Sequence, residues 1–284
     1  MSEQPKPGAF FKNTGSISAR SRKEERVVPA GWGRDSLTGY FEQLEEQSHA
    51  TFVTHPELAA LFAKVDALVC QKLGDIFHEP GVKRLDAVTL FMRSWSIYGA
   101  TLRLLFAGQL YESQVLMRAM LECSVYAWAC WNSEELTDLW NKRDESPEAK
   151  KAFKRPFQWV SLMQRLEAAD SDLATSVRQA YETLIDQGAH PNPFGVQLNT
   201  AHEKIDDGKY AVSTHFSDIR PEFTLFGMLE LYRCLTLCYA LMRACVRERL
   251  DLLRIHDGMN DVAVVFGKHA AAAVRAVEQR QRPA

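Results

Sequence analysis

The stretch from Leu85 to Trp131, LDAVTLFMRSWSIYGATLRLLFAGQLYESQVLMRAMLECSVYAWACW, constrains the fold more than any other part of the chain. It is long enough for two helices, and Ala107-Gly108-Gln109 is the place to fold one back on the other. The first helix is interrupted only by Arg93 and Arg103; the second carries Glu112, Arg118 and Glu122 among apolar residues. Helices this apolar belong in the middle of a bundle. The remaining charges on them must then find partners, because an unpaired charge in a core is costly.

The rest of the chain supplies helices to pack around this hairpin. Asp35 can cap a helix running to about His49. Thr54-His-Pro-Glu57 reads as a capping box opening a helix with a core stripe at Leu58, Leu61, Phe62, Val65, Leu68 and Val69. Ser133 can cap a polar helix to about Arg143, and the charged, Pro-bounded segment 144–156 reads as a surface connection. Two amphipathic helices follow, from Phe157 to about Ala168 and from Asp172 to about Gln187. Gly188-Ala-His190-Pro-Asn192-Pro-Phe-Gly195 then forbids regular structure. HEKIDDGKYAVSTHF predicts a β-hairpin turning at Asp207-Gly208, which must pack on the helices to persist. Pro221 starts a long apolar helix to about Ile255, and a last helix runs from Asn260 to about Gln279. The expected fold class is therefore all-α: a helical bundle with a small β-hairpin insertion, one domain over residues 35–284.

Residues 1–34 differ from the remainder. They are rich in Pro, Gly, Ser, Lys and Arg, with seven basic against three acidic side chains, so a basic disordered tail is expected. The whole chain of 284 residues has a net charge of only -2, which gives no general field for nucleic acid or membrane. No apolar run reaches the roughly 18 residues of a bilayer span and no leader pattern opens the chain, so a cytoplasmic protein without a membrane partner is expected. The six cysteines, Cys70, Cys123, Cys130, Cys234, Cys238 and Cys245, sit in apolar helical stretches without a Cys-x-x-Cys pair. They read as buried reduced thiols, not as metal ligands.

Chemistry can reside in few places. Arg118 and Glu122 lie four residues apart, on one helix face; Glu230 and Arg233, three apart, make a second polar insertion in the long apolar helix. Either these pairs lock the register of buried helices, or they line a cavity facing the His190 loop, where Arg, Glu and His together would bind an anion and move a proton. The other histidines lack metal-ligand spacing, and no phosphate-binding glycine loop, dinucleotide fingerprint or nucleophile elbow occurs, so no metal or cofactor is expected.

The run from Gly108 to Glu122, with Glu112-Ser and Leu116-Met-Arg118-Ala-Met-Leu-Glu122, and the later Tyr181…His190-Pro-Asn192, resemble a group of bacterial helical proteins over roughly residues 85–215. Those proteins are similar to the HEPN superfamily. The resemblance implies a helical dimer and, in active members, a metal-independent endoribonuclease of toxin–antitoxin or phage-defence systems. It implies an Arg that binds phosphate and a His that acts as acid or base. His190 would serve with Arg118 and Glu122, and Tyr181 and Asn192 would contribute to binding. The HEPN signature of an Arg and a His separated by four to six residues occurs at Arg249 and His256, the alternative catalytic pair. Leu250 follows that Arg, where a polar residue is usual. The expected partners are a second copy and RNA. The competing expectation is a non-catalytic module that docks another protein through its basic tail.

Overall fold

The structure is a computed structural model that describes residues 28–78, 84–190, 193, 200–206, 208–214 and 221–281. Among these it is a helical bundle with one two-stranded antiparallel hairpin. The apolar stretch forms α4 (Leu85–Phe106) and α5 (Leu110–Asn132). Gly108 joins them with φ +79, a conformation that a side chain would strain. Preceding α4 are α1 (Ser36–Thr54), α2 (Pro56–Leu68) and the single turn α3 (Leu73–Ile76). Following α5 are α6 (Glu134–Lys142), α7 (Pro147–Lys154), α8 (Trp159–Ala169) and α9 (Ser171–Leu184). The hairpin β1 (Thr200–Asp206) and β2 (Lys209–Thr214) precedes α10 (Pro221–Leu252) and α11 (Ile255–Gln281).

The core lies where α4, α5 and α10 meet. Val88, Phe91, Leu105, Met117, Leu121, Val125, Leu231, Leu235 and Leu241 are fully enclosed. A small polar seam runs through this contact. Ser94 Oγ donates to the Met120 carbonyl at 2.9 Å, lies 2.7 Å from Ser124 Oγ, and Cys238 Sγ reaches the same carbonyl at 3.8 Å. Small side chains there let the helices close up while every polar atom keeps a partner. Gly227 serves the same end, since a Cβ on it would meet Leu105 and Leu110 at about 2.5 Å. The α10 window Phe223–Leu252 is long and apolar enough to cross a membrane by length and mean hydropathy, contrary to the reading of the sequence, but 61% of it is buried inside the bundle. α11 closes the bundle through Phe266, stacked on Tyr232 at 3.7 Å and set edge-on to Phe62 at 5.2 Å. The six cysteines are free thiols.

Several expectations need correction. Arg93 and Arg103 are exposed, so α4 has a solvent face and they require no buried partner. His55, not Thr54, occupies the N-cap of α2; the Thr54 hydroxyl instead donates back to Ala50 O at 2.8 Å and finishes α1. The segment read as a surface connection contains α7, capped by Ser146 with Pro147 at its first position. Residues 1–27 of the expected tail lie outside the described residues. Residues 29–34 form turns, and Trp32 stacks on Phe41 of α1 at 6.2 Å. The β-hairpin forms in the expected place, with Gly208 at φ +81, yet Ile205, Tyr210 and Val212 are more than 60% exposed instead of packed on helices.

Candidate functional site

α5 faces the core with Met117 and Leu121, which leaves Arg118 and Glu122 on its shoulder, four residues and one turn apart. α9 packs on this shoulder through Val177, Ala180, Tyr181 and Leu184, all buried. Asp170 starts α9 by accepting from Leu173 N at 2.9 Å. The helix does not simply stop. Residues Ile185–Ala189 form a π-turn that ends through Gly188 at φ 126. A π-turn holds an extra residue per turn and is common beside functional sites. It leads the chain into His190, whose backbone is extended (φ -128, ψ 151).

Four of the sequence-derived candidates thereby meet. Glu122 Oε1 accepts from Arg118 Nε at 2.9 Å and from the Tyr181 hydroxyl at 2.9 Å. Arg118 Nη1 makes a short contact with His190 Nε2. The guanidinium carbon lies 4.9 Å from the centre of the Tyr181 ring. The arrangement is half open: the Arg118 side chain is 20% exposed, Glu122 36%, and His190 lies at the surface. Arginine has only donors, so a hydrogen bond between these two groups uses the Nε2 lone pair of His190. Burial, and then the Glu122 charge, push the Tyr181 phenol up to about 12. At neutral pH it is a hydrogen-bond donor and not a base.

Chemically, Glu122 is the anchor. It fixes the guanidinium through Nε and leaves the Nη edge directed at His190. An anion that takes this edge sits within reach of an imidazole lone pair, which is the combination that phosphoryl chemistry uses. Trp159, at the first position of α8, stacks on Tyr181 at 3.8 Å and 18°. The sequence analysis places Trp159 in an amphipathic helix from Phe157 to about Ala168 and gives it no part in a site. Nothing in the local sequence tells a stripe tryptophan from one beside a charged cluster, because α8 and α9 meet only in the tertiary structure.

The other candidates are placed differently. Arg249 donates from Nε to Asp75 O at 2.8 Å, whereas His256 stacks on Tyr239, with Nδ1 3.4 Å from the hydroxyl, and approaches Asn260. The structure thus gives the two members of that pair separate partners. Asn192 lies outside the described residues. Glu230 and Arg233 form their own ion pair, at 2.5 Å. Among the described residues, no group of His, Cys, Asp and Glu could hold a metal ion.

No family model matches the chain, and comparison with curated proteins and with solved structures found no match either.

Proposed function

We propose that this is a HEPN-like RNA-acting protein whose phosphate site is Arg118 with His190. The observation that carries the reading is the contact between the Arg118 guanidinium and His190 Nε2 at the surface, with Glu122 and Tyr181 holding the guanidinium from behind. In the reaction, a phosphodiester oxygen replaces His190 on the Nη edge of Arg118. The freed Nε2 takes the proton of the neighbouring 2′-hydroxyl, whose oxygen bonds to phosphorus. Arg118 stabilises the charge gathering on the phosphoryl oxygens, and the P–O5′ bond breaks. The proton passes from His190 to the departing 5′ oxygen, leaving a cyclic phosphate. RNA as the substrate follows from the 2′-hydroxyl that this chemistry needs. The reading carries with it a homodimer in the bacterial cytoplasm, within a toxin or phage-defence system.

The test compares growth arrest and RNA cleavage on expression of wild type, Arg118→Ala, His190→Ala and His256→Ala. Toxicity and cleavage by wild type and His256→Ala, lost in the other two, support the reading. Equal harmlessness of all four retires it. A second reading, a module that docks another protein, is favoured by the exposed Ile205, Tyr210 and Val212 of the hairpin. It predicts that Ile205→Ser with Val212→Ser abolishes the biological effect while the Arg118 and His190 variants retain it.

A further inference from the structure

α10 is broken at one point inside its length: Val246 has φ -131 and ψ 36, outside the helical region. The break borders a cleft of about 500 Å³ between α3, the end of α5 and α10. That volume falls in the range of small-ligand sites, roughly 300–1,000 Å³. Its walls are of two kinds. Phe77 is buried and fixed by stacking on Phe91 at 5.7 Å and 18°, and Trp131 stands beside it at 6.4 Å. The cleft is also lined by Arg247, Arg249 and His78, with Glu248 the one acidic side chain among its lining residues. Arg84, which is not among the lining residues, lies over one face of the Trp131 ring with its guanidinium 4.6 Å from the ring centre. Arg249 is held by one corner: its Nε donates to Asp75 O at 2.8 Å, and its Nη groups have no partner among the described residues. A guanidinium fixed in this way presents a fork for an anion. Cys245 also lines the cleft, but burial pushes its thiol up, so it is not a nucleophile there.

We infer that this cleft binds a planar ligand carrying a phosphate, of the size of a nucleoside monophosphate, with its ring against Trp131 and its phosphate on Arg249 and Arg247. The cleft is separate from the Arg118 cluster. Trp131 lies about 20 Å further along α5 than Arg118 and about 140° around it. The inference therefore stands whether or not the RNA reading holds.

Isothermal titration of the full chain with AMP, adenosine and inorganic phosphate tests it. AMP is expected to bind roughly tenfold or more tightly than either half. Arg249→Ala should weaken AMP and phosphate roughly tenfold and spare adenosine. Trp131→Leu should weaken AMP and adenosine and spare phosphate, and every titration is repeated in the Arg118→Ala background so that phosphate held at the Arg118 cluster stays out of the comparison. Absence of AMP binding at millimolar concentration overturns the inference, and so does equal AMP affinity in wild type and Arg249→Ala. Circular dichroism checks that each variant is folded; if Trp131→Leu is not, the partly exposed Arg249 decides alone.

Discussion

Arg118–Glu122 on α5 and Glu230–Arg233 on α10 look alike in sequence: an acid and an arginine one turn apart in an apolar helix. Folding sorts them by which member is enclosed. On α10 the acid is the buried member, its side chain 9% exposed against 38% for Arg233, and Cys234 Sγ lies 4.0 Å from the same Glu230 oxygen. That pair points inward and closes on itself. On α5 the arginine is the more enclosed member, 20% against 36% for Glu122, and both reach out to another element, Tyr181 and His190 beyond it. The first arrangement fixes a helix. The second fixes a cation from one side and leaves its far edge to an exposed partner, His190. An ion pair in a helix is thus not evidence of either role until the side that stays open is known.

The contrast can be broken most directly through the two arginines. On the proposed reading, Arg118→Ala reduces RNA cleavage by roughly 100-fold or more, while Arg233→Ala leaves it within about twofold. Similar losses from both, in initial rates on a labelled RNA, would erase the distinction. Stability should invert the order. Glu230→Ala is expected to cost about 2 kcal/mol in urea unfolding, since it strips hydrogen bonds from a buried position. Glu122→Ala should cost less than about 1 kcal/mol, because its pair is partly solvated. Glu122→Gln keeps an acceptor for Tyr181 but removes the charge that fixes Arg118; a loss of roughly tenfold in kcat with little change in KM is expected.

The smallest effect concerns pH. The native state holds the Tyr181 proton more tightly than the unfolded chain, whose phenol titrates near its ordinary 10.0. The corresponding stability is complete below pH 10 and fades as pH rises toward about 12. Tyr181→Phe should therefore flatten the alkaline loss of stability between those values. Parallel pH curves for the two proteins would show that the phenol is no more enclosed than in the unfolded chain.

Much of the bundle was legible in the residues themselves. Gly108 marked the fold-back of α4 on α5 because the turn needs positive φ, and Asp207-Gly208 marked the β-turn for the same reason. The juxtaposition of Arg118 and Glu122 followed from helical spacing. What could not be read was anything decided between elements. Arg93 and Arg103 read as buried because α4 is apolar in composition, but its covered arc is incomplete. Thr54 was the better cap by residue type, yet α1 runs one turn longer and claims it. Trp159 joined the cluster only because α8 packs against the end of α9. The alternative pairing of Arg249 with His256 was a matter of spacing alone, and the chain turns between them at Arg254, with φ 53.

The π-turn at Ile185–Ala189 gives chain length itself a role in the site. Were one residue missing between Leu184 and His190, the segment could close as an ordinary helical turn, and the imidazole would swing by roughly 100° around the axis of α9. None of the buried residues of α9 would change. The histidine would still be present and still exposed, but it would no longer face Arg118. Aim, in this protein, is set by a count of residues as much as by their identity, so a related chain one residue shorter here would keep the bundle and lose the encounter.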